Sequence, residues 1–196
     1  LLALRAALPD VDLHALIVDH GLRPESAGEA AAAARFAEAA GARARILRWA
    51  DPQPGQARAR EARHRLLAAA AAQIGAPVLC LGHTLDDRIE TLRMRAARRG
   101  GVLRMAGPGL VDPSPVWPEG AGLMLARPLL GLTRERLRTY LRDQGADWIE
   151  DPSNADPAYE RIRLRLQPLS AREETELLRR SDAAQGERAW LHDEAR

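Results

Sequence analysis

Four residues within eight positions carry the clearest chemical signal in the chain: His83, Asp86, Asp87 and Glu90, in Gly82-His83-Thr84-Leu85-Asp86-Asp87-Arg88-Ile89-Glu90-Thr91. On a helix Asp86 and Glu90 stand four apart and Asp87 and Glu90 three apart, so the acids share a face. Clustered carboxylates attract a cation. At about 4 Å and an effective dielectric of ~20, one such pair contributes about 4 kcal/mol before desolvation. The plainer reading is that acids in a first helical turn complement the helix dipole, worth roughly 0.3–1 kcal/mol. The surrounding elements decide how these two readings weigh.

Val78 to Leu81 is a short apolar run that reads as a buried strand and stops at Gly82. In an open α/β sheet, ligands bind beyond the carboxyl ends of the strands. The acidic segment, read as a helix from Asp86 to about Arg99, therefore falls where a site is expected. The same logic applies upstream. Val11 to Val18 reads as a strand, and Asp19-His20-Gly21-Leu22-Arg23 is the loop at its end. An Ala-rich helix (27–40), a strand (43–49) and a long helix (56–74) carrying Arg58, Arg60, Arg63 and Arg65 lie between the two. Strand and helix alternate three times, which implies a Rossmann-like parallel sheet with helices on both faces. A parallel sheet gathers its loops along one edge, so Asp19 and the Asp86 cluster are expected to meet in space.

Beyond Arg99, residues 107–122 are rich in Gly and Pro and read as a loop. Residues 123–130 return to order. Thr133 is a fitting N-cap for a helix to Gln144, and Gly145 a fitting stop. A helix carrying Arg161, Arg163 and Arg165 follows, then a charged helical tail from Ser170 to Arg196. The reading divides the chain into a catalytic domain (1–165) and a helical tail or linker (166–196).

The 196 residues suit one domain with a small appendage. No apolar run approaches the ~18 residues of a membrane span, and no basic-then-apolar leader opens the chain. The single cysteine, Cys80, lies inside the apolar run and reads as a small buried hydrophobe; a reducing cytoplasm is the default. Net charge is only +2, yet all 29 basic residues are Arg. Each offers a planar fork suited to phosphate, and any catalytic step that needs a lysine of this chain is excluded. The first eight residues are helical in pattern with no capping residue before them, so an upstream element is expected.

Three stretches together resemble the tRNA(Ile)-lysidine synthetase family, a branch of the PP-loop (N-type) ATP pyrophosphatases with an adenine nucleotide alpha hydrolase-like fold. They are Val18-Asp19-His20-Gly21-Leu22-Arg23, then Gly82 to Thr91, then Arg127-Pro128-Leu129-Leu130 with Trp148-Ile149-Glu150-Asp151-Pro152-Ser153-Asn154 and Tyr159-x-Arg161. Order and spacing fit over roughly residues 1–165. There are departures. The family's Ser-Gly-Gly-x-Asp-Ser loop, whose amides hold nucleotide phosphates at a helix N-terminus, is not in the chain; it would directly precede the opening helix. Thr84 stands where the family has a second His, and Arg88 where it has Gln.

The resemblance implies a two-step ligation. ATP adenylates the C2 oxygen of the wobble cytidine of tRNA(Ile), and the ε-amine of free L-lysine then displaces AMP. ATP with Mg²⁺ is the implied cofactor, and tRNA(Ile) and lysine the implied partners, with room for a homo-oligomer. Asp19, Asp86 and Glu90 are the implied holders of lysine or of the nucleotide-bound Mg²⁺, with the tasks undivided between them; Asp86 and Glu90 are the candidate metal ligands. Asp19 and His20 would face the nucleotide. His83 would assist proton transfer or be a structural histidine. Arg60 and Arg63, one turn apart, would contact phosphate or tRNA, or form a solvated face. Asn154 and Arg161 match positions near the reacting base. Trp148 reads as core. Three rivals stand beside this reading. A tRNA thiolase of the same fold is opposed by the lone Cys80. An all-helical Mg²⁺-diphosphate site is opposed by the strands. A catalytically inactive binding module is kept open by the missing loop.

Overall fold

The computed structural model describes residues 1–53, 55–98, 101–146, 148 and 160–194, with the main chain alone for Gln56 and for 191–194. The chain forms two compact units. One holds Leu1–Leu79 and Pro113–Leu125, the other Cys80–Asp112 and Ala126–Arg196.

The first unit opens with α1 (Leu2–Ala7), β1 (His14–Asp19), α2 (Ser26–Ala39), β2 (Arg43–Arg48) and α3 (Gln56–Gln73). β1 and β2 pair in parallel, from His14 opposite Arg43 to Asp19 opposite Arg48. Such a pair needs a crossover, and α2 supplies it. α2 buries only alanines, Ala30 and Ala37. Leu47 of β2 packs with Leu67 and Ala70 of α3, and Leu16, Val18, Leu66 and Leu79 close around them. This packing fixes the carboxyl end of β1, where Asp19 is 8% exposed.

Three short strands, β3 (Val78–Cys80), β4 (Val111–Pro113) and β5 (Met124–Ala126), form a second sheet in the order β3-β5-β4. The stretch 107–122, read as a loop, thus contributes a strand. Cys80 is exposed and not buried. β3 is only three residues long, and Val78 and Cys80 both lie on its open face.

The second unit is mainly helical: α4 (Leu85–Ala96), a 3-10 turn (Val102–Ala106), α5 (Arg134–Asp143), α6 (Glu160–Arg165) and α7 (Ala171–Glu194). Its core joins Leu92 of α4, Met105 and Ala106 of the 3-10 turn, and Leu177 and Ala184 of α7. Residues read as a tail therefore supply core side chains. The fit is close at Gly107, whose φ of +62° suits glycine; a Cβ there would stand 3.1 Å from both Leu92 and Ser181. Asp112 ties this region together. It accepts from Arg127 at 2.6 Å, from Arg188 at 2.7 Å and from the Gly109 amide at 2.8 Å. Arg127, which opens the Arg-Pro-Leu-Leu stretch, is thus a buried architectural residue. No helix among the described residues is long and apolar enough to cross a membrane.

Candidate active site

α4 begins at a full capping box. The Thr84 hydroxyl accepts from the Asp87 amide, and the Asp87 carboxylate accepts from the Thr84 amide at 2.9 Å and from its hydroxyl at 2.8 Å. Thr84, a departure from the family pattern, is therefore what starts the helix. Thr133 caps α5 more simply, its hydroxyl accepting from the Arg136 amide. These two caps set the N-terminus of α5 against the acidic face of α4.

Arg134, the first residue of α5, meets all three acids. Its main-chain amide donates to Asp86 Oδ2 at 2.8 Å, and its guanidinium donates to Asp87 Oδ1 at 2.5 Å and to Glu90 Oε1 at 3.1 Å. Arg165 of α6 donates to Glu90 Oε1 at 2.5 Å and to Oε2 at 3.3 Å. Burial would raise the Asp87 carboxyl's pKa, but the Thr84 bonds and the Arg134 charge outweigh it and hold the group below its ordinary value. Arg134 is held above its own ordinary value. Burial opposes the charge, and Asp87 and Glu90 overcome that opposition.

The three acids are therefore unlike. Asp87 is spent on the cap and on Arg134. Glu90, 5% exposed, has an arginine on each oxygen. Asp86 is half-buried, and its Oδ1 has no hydrogen-bond partner among the described residues. It lines a cavity of about 600 Å³ together with Glu90, Arg93, Arg134, Arg138 and Glu174. His83, in the turn before α4, is half-buried.

This donor set does not fit a metal held by Asp86 and Glu90 together, since both Glu90 oxygens face guanidinium groups. No cluster of three or more His, Cys, Asp or Glu suited to a metal ion occurs among the described residues.

In the first unit, Asp19 ends β1. Its Oδ1 accepts from the Ser26 hydroxyl at 2.7 Å and from the Gly21 amide at 3.0 Å. The Ser26 bond and then the Gly21 bond lower its pKa against burial, with a smaller pull from Arg48. Next to it, His20 Nε2 accepts from Arg63, at 3.0 Å from Nη2 and 3.3 Å from Nε. A guanidinium only donates, so the imidazole proton sits on Nδ1. Burial pushes the His20 pKa down, Arg63 adds to this, and Asp19 opposes it. Trp49 meets the His20 ring edge-on at 6.2 Å.

Arg63 is thus engaged with His20, while Arg60, one turn away, is exposed. Arg161 is half-buried on α6; Asn154 lies outside the described residues. Trp148 is not core. It is 38% exposed, with the Arg138 guanidinium 5.8 Å over its ring. Sequence reasoning missed Arg134. The available signal was an arginine directly after an N-cap, where its charge opposes the helix dipole and so calls for acidic partners.

A parallel β-α-β pair with an acid at the carboxyl end of its first strand defines a nucleotide-type α/β class. The chain belongs to the PP-loop domain family, whose model matches residues 1–171. It is 49% identical over 153 residues to the tRNA(Ile)-lysidine synthase of Hyphomonas neptunium, across 78% of this chain and 42% of that protein. With the tRNA(Ile)-lysidine synthase of Caulobacter vibrioides it shares 47% over 154 residues, 77% of this chain and 37% of that one. With that of Rhizobium meliloti it shares 44% over 163 residues, 78% and 35%. The chain thus spans well under half the length of these relatives. Among solved structures, the U34-tRNA thiolase NcsA of Methanococcus maripaludis, determined with its 4Fe-4S cluster, superposes with a TM-score of 0.71. That match has 16% identity and covers 93% of this chain and 64% of that one. It shows the α/β fold.

Proposed function

We propose that this chain is the nucleotide-dependent part of a tRNA(Ile)-lysidine synthase. In the proposed reaction, the C2 oxygen of the wobble cytidine of tRNA(Ile) attacks the α-phosphate of ATP and is adenylated, with release of pyrophosphate. Free lysine then attacks C2 through its ε-amine, and AMP leaves. The observation that carries the reading is the identity of 44–49% with synthases of that name over about three quarters of the chain.

The residues divide the work as follows. Asp86, the α4 acid with an open oxygen, holds the lysine ammonium in the cavity between α4, α5 and α6. Free lysine has a pKa near 10.4, so its amine must shed a proton before attack, and we assign that transfer to His83, three positions before Asp86 in the sequence. Asp19 and His20 face the nucleotide at the end of β1. ATP supplies the leaving group, and Mg²⁺ travels with its phosphates. Arg60 and Arg161 contact the tRNA backbone, with Asn154 near the reacting base. The reaction belongs to the cytoplasm, where tRNA and free lysine are both at hand.

The test uses the full-length protein with ATP, labelled lysine and tRNA(Ile). Asp86→Ala is expected to abolish lysine-dependent AMP formation while the circular dichroism spectrum stays unchanged. Turnover at the parent rate would refute the assignment.

A further inference from the structure

We propose that Arg134 is a positioning residue that reduces the three acids of α4 to a single available carboxylate, so that the site takes a singly charged amine and refuses a protein-held divalent metal. The Arg134 amide, at the positive end of the ten-residue α5, fixes Asp86 Oδ2 at 2.8 Å. The same residue's guanidinium spans Asp87 and Glu90. Arg165 adds a second cation on Glu90. Within this hydrogen-bonded group two guanidiniums face three carboxylates, and the oxygen with no hydrogen-bond partner among the described residues belongs to Asp86.

Position and charge are thus set by two different parts of Arg134. The main chain aims Asp86, and the side chain silences its neighbours. Glu90 is 5% exposed, so its ion pairs act with little solvent screening. Without the Arg134 guanidinium, Asp87 Oδ1 would lose its partner beside the open oxygen of Asp86, while Arg165 stays on both Glu90 oxygens; the two aspartates would then offer a stronger negative field and two oxygens to a hard divalent ion.

This deepens the lysine-ligating reading, but the first arm of its test does not depend on it. That arm titrates the full-length protein with Mn²⁺ in the absence of nucleotide, with the free-ion paramagnetic resonance signal as readout. Arg134→Gln is expected to bind Mn²⁺ about tenfold or more tightly than the parent, since removing a nearby cation strengthens the acids' field. Arg134→Lys, which keeps the charge, should stay near the parent. The gain should vanish in Asp86→Asn/Arg134→Gln. Equal Mn²⁺ affinity in the parent and Arg134→Gln would overturn the proposal, as would tight parental binding that Asp86→Asn removes.

The second arm measures ligation kinetics. Arg134→Lys cannot span both acids, so the KM for lysine should rise about tenfold, with kcat within about threefold. A fall in kcat at unchanged KM would place Arg134 in the chemistry and sink the positioning role. Should Arg134→Gln fail to fold, Arg134→Lys decides through this split. If no form of the protein ligates lysine, the functional reading falls, and the Mn²⁺ arm still judges Arg134 on its own.

Discussion

Asp19 in the first unit and Glu90 in the second are buried almost equally, at 8% and 5% exposure, yet their surroundings are opposite. Asp19 is satisfied by neutral donors, a serine hydroxyl and a glycine amide. Glu90 is satisfied by two guanidiniums. Neutral donors stabilise a carboxylate and leave its charge in place for a ligand. Guanidiniums stabilise it and cancel that charge. Depth of burial therefore does not tell a binding acid from a structural one; the kind of partner does. By this measure Asp19 and Asp86, which is held by a main-chain amide, are the acids available to a cation, and Glu90 joins α4 to α5 and α6.

The largest effect expected from this contrast is on stability. Glu90→Ala leaves Arg134 and Arg165 without their shared partner. Breaking a buried ion pair by removing one member costs about 3–5 kcal/mol; the arginines keep about a third of their exposure, so the lower end applies. Asp86→Ala removes only a cap from α5, for about 1 kcal/mol. Urea melts of the two variants should therefore differ by at least about 2 kcal/mol. If Asp86→Ala proved the more destabilising, the division between a structural and a binding acid would be reversed.

A smaller effect is expected at the start of α4. Thr84→Ala removes a side-chain cap, worth about 1 kcal/mol, and deprives Asp87 of its hydroxyl donor. The carboxyl titration of Asp87, followed by carbon NMR, should move up toward the ordinary value. No movement would mean that the main-chain amide at position 84 and Arg134 hold Asp87 between them, and the Thr84 hydroxyl would then be incidental to the charge pattern.

How much of this was legible in the sequence follows from the range of the interactions. The acids of α4, the Thr133 cap and the alternation of strand and helix are local, and the order of residues displays them. Acids in the first turn of a helix are expected from the sequence, and Asp87 takes that place in the cap of α4. The partners of Glu90 were not legible, because Arg134 and Arg165 lie 44 and 75 positions away and nothing local marks them as a pair. Cys80 and Trp148 were misjudged for a related reason. An apolar side chain reports a tendency to be buried, while the ends of a three-residue strand, or an arginine such as Arg138 offering its planar face, decide the actual exposure. The tail shows the same limit. Charged residues dominate α7, yet Leu177, Ser181 and Ala184 on one side of it are buried.

The smallest expected effect sharpens the other half of the contrast, the end of β1, where Asp19 is held by neutral donors. Burial and Arg63 lower the pKa of His20 below its ordinary 6.5. Between that lowered value and 6.5 the unfolded chain binds the proton more readily than the folded one, so stability rises with pH across this window. The contribution is fully present above 6.5 and is lost as pH falls through the folded value. One proton limits the slope to about 1.4 kcal/mol per pH unit. His20→Gln has no ring to titrate, so its urea midpoint should fall less than the parent's between pH 7.5 and 5. Arg63→Gln should retain part of the slope, because burial is the larger cause. A parent and a His20→Gln variant with parallel pH profiles would mean that the imidazole is already solvated in the folded protein, and the sheltered position of its neighbour Asp19 would lose its nearest support.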